Sequence, residues 1–159
     1  MAQDNTIYDV SAAGSELTIS GPGISLTNIT DFLDDVNPFQ FPETEVSGIG
    51  MNFKGALIRY ARGNPFMFSV TVCAGSNSDK TLRNALARYH ISKGEKIKDG
   101  DGISATLTVP SMGSSGNSNS YTLEKGVIVS GPMGPTATGE GKMQGNTYTF
   151  AFASCGTGN

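Results

Sequence analysis

A lone histidine, His90, and two cysteines, Cys73 and Cys155, are the most reactive side chains in this 159-residue chain. Acyl-transfer chemistry needs a nucleophile, a general base and an orienting acid that converge. His90 falls at the end of a predicted helix, where the dipole favours a cation. No nucleophile or acid stands beside it at a telling spacing, and Cys73 lies inside a strand pattern. One histidine and two distant cysteines also give no tetrahedral metal spacing. The stretch DGDG, residues 99–102, starts like a calcium loop. Ile103 then occupies the place of an oxygen ligand, and no closing glutamate follows. In GEGKM, residues 139–143, Met143 stands where a phosphate loop needs Ser or Thr, and Thr136 stands in place of its first glycine. GIGMNFKG, residues 48–55, precedes a strand and opens no helix, so it fails as a dinucleotide fingerprint. The adjacent acids Asp34 and Asp35 could do acid–base work, but an acidic loop in a protein of this charge is far more common. The expectation is a protein with no catalytic residue, no metal and no cofactor: not an enzyme.

The elements that carry these residues fit a protein that meets other protein. Charged residues make up 16% of the chain and hydrophobic ones 37%, with 21 glycines. The charged fraction lies below the usual ~25%, and the hydrophobic one below the usual ~45–50% partly because that figure counts Gly. Ser, Thr, Asn and Gly must therefore cover much of the surface. A net charge of −3 argues against a sequence-reading nucleic-acid binder, which needs clustered Lys and Arg. No window approaches the ~18 apolar residues of a membrane span. MAQDNTIYDV lacks the basic and apolar regions of a signal peptide. Synthesis in the cytoplasm and buried thiols are expected, with a Cys73–Cys155 pairing left open because both lie near strand ends.

Period-two patterns dominate the chain. SELTISGPGISLTNIT reads as a hairpin around Gly21-Pro22-Gly23. Residues from about 30 to 55 read as one long loop or arm, broken by Pro38 and Pro42. It carries Phe39 and Phe41 beside Asp34, Asp35, Glu43 and Glu45. GALIRYARG and NPFMFSVTVCAG read as strands joined through a turn at Arg62–Pro65. A helix is expected over about residues 79–91, capped by Ser78, with Asp79 at the positive dipole end. Leu82, Ala85, Leu86 and Tyr89 form its apolar stripe, and Arg83 and Arg88 lie on the opposite side. Ile103 to Val109, a strand bulged near Gly126, and a closing strand with Tyr148, Phe150 and Phe152 on one face follow. Flexible loops are expected at 111–120 and 131–145. The fold class is mainly β: one antiparallel β-sandwich or barrel domain of about seven strands over 1–159, with one flanking α-helix.

This order of elements resembles the tail tube proteins of bacteriophages, nearest to the small subunits of contractile tails. PFMFSVTVCAGSNSDKTLRNALARY and GKMQGNTYTFAFAS carry the resemblance; elsewhere the likeness is one of layout. It implies a virion subunit that forms hexameric rings stacked into a tube, a conduit through which DNA passes without specific binding. Neighbouring subunits would satisfy the sheet edges, and tail sheath, baseplate and tail-terminator proteins would be partners. Phe39, Phe41, Glu43, Glu45, Arg83 and Arg88 are the interface candidates on this reading. Leu82, Leu86 and Tyr89 would pack the helix onto the core. The alternatives are a secretion-system tube, another virion component, or a stand-alone β-sandwich binding module. The absence of tryptophan weighs against a stacking platform of the last kind.

Overall fold

The computed structural model describes residues 14–29, 32, 38–98, 100, 102–109 and 119–158. Asp34, Asp35, Asp99, Asp101 and residues 111–118 of the low-complexity loop lie outside them. Alternation of branched or aromatic residues with small hydroxyl residues builds the body. Its strands are β1 (Glu16–Gly21), β2 (Ile24–Leu26), β3 (Phe39–Gln40), β6 (Phe66–Val72), β7 (Ile103–Val109), β8 (Asn119–Ser130) and β9 (Asn146–Gly158). They form one seven-stranded antiparallel sheet in the order β2-β1-β7-β8-β9-β6-β3, curled into a half-barrel. Two further strands, β4 (Ser47–Met51) and β5 (Leu57–Ala61), make a separate two-stranded sheet.

The inner face of the curl is the core. Leu17, Ile19, Phe68, Val70, Leu107, Leu123, Tyr148, Phe150 and Phe152 are all buried there. The opposite face carries the alternate residues, largely Ser and Thr, and its hydroxyls pair across strands. Ser69 shares a hydrogen bond with Thr149 at 3.2 Å and Thr71 with Thr147 at 2.8 Å. Such cross-strand pairs support the register that also buries the aromatics. The bulge expected near Gly126 is present: the β7–β8 register shifts between Ile103 and Ala105, and Lys125 takes a φ of 56°. Glycine is required beside it, because a Cβ on residue 126 would stand 2.3 Å from the Phe152 ring.

Among the described residues one helix, α1 (Asn77–Arg88), packs onto the core of the half-barrel. Leu82 and Ala85 are buried in the core, and Leu86 packs against it. The helix starts and stops earlier than the expected 79–91. Its N-cap is Ser76, whose Oγ accepts from the Asp79 amide at 3.2 Å, while Ser78 is a buried helical residue. Tyr89 is the C-cap, half-buried and outside the core cluster, so the apolar stripe ends one turn short. A second correction concerns β5. It does not form a hairpin with β6 across Arg62–Pro65; its antiparallel partner is β4, residue Met51 opposite Leu57 and Ser47 opposite Ala61. The expected arm at about 30–55 thus contains a strand of the body, β3, and half of an independent hairpin. The 131–145 loop also holds local order: the Thr138 amide donates to the Lys142 carbonyl and the Gln144 amide to the Thr136 carbonyl, both at 2.7 Å. GEGKM forms the turn of that loop, with Gly141 at φ 85°.

Candidate assembly interface

The expected interface aromatics anchor their segment to the body. Phe39 pairs with Val70 in the sheet, and its ring meets Phe32 edge-on at 6.2 Å. The Phe41 ring lies 4.8 Å from Phe68 and 5.9 Å from Tyr121 and remains 40% exposed. Glu43 is exposed. Glu45 accepts from Arg62 Nη1 at 3.1 Å, and its backbone carbonyl accepts from Asn64 Nδ2 at 2.9 Å. Arg88 is paired with Glu95, its guanidinium 5.6 Å over the Tyr89 ring. His90 Nδ1 shares a hydrogen bond with the Ser92 hydroxyl at 2.9 Å in an exposed turn. Cys73 and Cys155 are free thiols; burial pushes the Cys155 pKa up. The described residues hold no group of three or more His, Cys, Asp or Glu placed to bind a metal.

Arg83 points to a polar site that the sequence pattern concealed. Its Nη2 donates to Asp79 Oδ2 at 2.7 Å, and the Gly75 amide donates to the same oxygen at 2.9 Å. Asp79 Oδ1 accepts from Asn146 Nδ2 and from the Tyr148 hydroxyl, each at 2.7 Å. The carboxylate has no solvent exposure. Burial alone would raise its pKa; the donors Gly75, Tyr148 and Asn146 and the Arg83 charge outweigh burial and hold it below the ordinary 3.8. Burial and the same carboxylate push the Tyr148 pKa upward. The arrangement ties the first turn of α1 to the start of β9.

What remains exposed is the β4–β5 hairpin. Asn52 organises its tip: Oδ1 accepts from the amides of Lys54 and Ala56 at 3.0 and 2.9 Å, and Gly55 supplies a φ of 80°. The Glu45–Arg62 pair clasps its base, and Arg59 Nε donates to Ser47 Oγ at 2.6 Å across it. Register puts Ile49, Met51 and Leu57 on one face, at 71%, 68% and 70% exposure. Ile58 and Tyr60 lie on the other face over Gly50 and Gly48, while Val46 and a fully exposed Phe53 extend the surface. A hairpin alone in water is marginal, and this one carries exposed apolar side chains on both faces. Sequence reading had its residues in view but divided them between a loop and a strand. The signal available was GIGMNFKGALI itself, apolar residues flanking an Asn-x-x-Gly turn.

The described residues form a curled seven-stranded sheet with one helix packed on it. Two solved structures share it over nearly their whole length. The sheath/tube terminator of an extracellular contractile injection system (PVC) superposes with a TM-score of 0.59 at 7% identity, covering 96% of this chain and 99% of the relative. The tube-terminating cap of the anti-feeding prophage gives 0.55 at 7%, covering 98% and 96%. At such identities the likeness speaks for the fold. The family follows from the sequence: the model of tail fiber protein gp32 matches residues 8–156, and the chain belongs to that family. No curated protein sequence matches the chain. The resemblance to phage tails is thus upheld at the level of a tail-type structural protein, under a fiber family name and with the fold of tube terminators. Among the described residues no helix is long and apolar enough to cross a membrane.

Proposed function

We propose that this chain is a non-enzymatic virion subunit of a phage tail that assembles with its own copies into hexameric rings. Stacked, the rings form the inner tube through which DNA passes; sheath, baseplate and terminator proteins are its neighbours. The observation that carries self-assembly is the exposed apolar β4–β5 hairpin, which makes it the ring-joining element in place of the Phe39/Phe41 segment. A second reading is favoured by the near-complete overlap with a tube terminator and a tube cap: one ring that ends a tube instead of many that build it.

Negative-stain microscopy and analytical ultracentrifugation of the purified chain separate these readings. Long hollow tubes support the tube subunit, and discrete single rings support the terminator. A monomer at every concentration removes self-assembly altogether. Met51→Ser with Phe53→Ser is expected to leave folding intact and to abolish the higher assemblies, because both side chains are exposed.

A further inference from the structure

The β4–β5 hairpin is held by its own residues. Among the described residues, every hydrogen bond and ion pair that residues 46–62 make joins them to one another or to Glu45. Asn52 fixes the tip, and at the base the Arg62 amide donates to the Val46 carbonyl at 3.0 Å. Arg62 Nη2 also donates to the Tyr60 hydroxyl at 3.1 Å. Gly48 is the one buried residue of the two strands, and its cover is the Tyr60 ring of the same hairpin. The body is built differently: β6 starts at Phe66 and buries Phe68, Val70 and Val72 completely. Apolar burial is the dominant favourable contribution to folding, and the hairpin has almost none of it.

We propose that β4–β5 is a locally folding unit: in the separate chain its strand pairing opens and re-forms while the seven-stranded body stays folded. A lone two-stranded hairpin is marginal in water. Opening free energies run from near zero, where few apolar contacts are lost, to the global value in core strands. The hairpin stands at the low end of that range, and β6 and β9 stand at the high end. Its apolar residues gain little from closing, because Ile49, Met51 and Leu57 project from one face and Ile58 and Tyr60 from the other. Pairing the strands leaves both sets in water. The clasps at Asn52 and Arg62 belong to this register, so each closing restores the same pairing. Where the assembly reading above holds, contact has to order the hairpin, and a segment that folds on binding holds its partner more weakly per unit of area. Local opening itself does not depend on that reading.

Amide hydrogen exchange on the dilute, monomeric chain tests this. Alternation from the hydrogen-bonded pairs Val46/Arg62 and Asn52/Ala56 puts the amides of Gly48, Gly50, Ile58 and Tyr60 inside the ladder. These four should exchange within ~10-fold of an unstructured peptide, and the ladder amides of β6 and β9 far more slowly. Leu82→Ala, which loosens the body, should speed β6 and β9 by roughly 30-fold or more and leave the hairpin unchanged. A second variant pins the hairpin: Ser47→Cys with Ala61→Cys in a Cys73→Ser, Cys155→Ala background. Residues 47 and 61 face each other as a non-hydrogen-bonded pair, at a Cα separation of about 4.5 Å that a disulfide can span. Oxidation closes a loop of about 15 residues and should slow the hairpin amides roughly 100-fold against the reduced form. Hairpin amides as slow as those of β6, and accelerated with them by Leu82→Ala, overturn local opening while leaving self-assembly standing. Equal exchange in the oxidised and reduced forms would mean that the strands do not separate, and overturns it as well. Self-assembly is read separately, from sedimentation, and its failure alters neither result.

Discussion

Asp79 is a carboxylate buried at the joint between helix and sheet and satisfied by the Gly75 amide, Arg83, Asn146 and Tyr148. Removing one partner from a buried charge network leaves the others uncompensated. Asp79→Ala is therefore expected to lose about 3–5 kcal/mol of folding stability in urea titrations, and Tyr148→Phe about 1–2 kcal/mol. The sign of the pH dependence follows from the lowered pKa. The folded carboxyl protonates at lower pH than the unfolded one, whose ordinary value is 3.8. Its contribution is complete above that value and is lost as pH falls through the folded pKa. The stability gap between wild type and Asp79→Asn should accordingly be constant at neutral pH and narrow below about pH 4. A gap that stays constant down to about pH 2 would mean that the carboxyl of residue 79 titrates alike in the folded and unfolded chains.

At the scale of elements, α1 and the β8 bulge decide whether the half-barrel closes. Leu82 is fully buried beneath the helix, and Leu82→Ala should cost about 2–5 kcal/mol. Gly126→Ala should cost about 1–3 kcal/mol by overpacking, because the added methyl meets the Phe152 ring and, at 3.0 Å, the Ile103 carbonyl. Both are read from thermal or denaturant midpoints, and a neutral Gly126→Ala would mean that β8 shifts freely past β9. Much of this level was legible in the chain. Phe66-x-Phe68-x-Val70-x-Val72 and Tyr148-x-Phe150-x-Phe152 alternate because one face is buried and the other is hydroxylated, and these two strands do pair. Two things were not legible. Asp79 fits a dipole position so well that its long-range partners, Asn146 and Tyr148, left no local trace. The β4–β5 pairing was hidden because period two reports a buried face opposite a wet one. A hairpin exposed on both faces in the isolated chain has apolar residues on both, so its contrast is lost.

At the scale of the whole molecule, the question is which force would join copies in the proposed assembly. The hairpin's charges are largely used internally: Arg62 pairs with Glu45, and Arg59 donates to Ser47. The surface left for contact is apolar, while each copy carries a net charge of −3. Burial of apolar surface weakens on cooling, and like net charge between copies opposes assembly until salt screens it. Self-association should therefore strengthen on warming from about 4 to about 25 °C. It should hold or rise slightly between about 0.05 and 0.5 M salt. Sedimentation or light scattering across that grid checks both trends at once. An assembly that falls apart as salt rises would place the joining energy in charge pairs between copies. The exposed acids and bases, Glu43 and Lys54 among them, would then replace Ile49, Met51, Phe53 and Leu57 as the residues that hold the subunits together. The opposite trend leaves the apolar hairpin as the joining element of the proposed assembly.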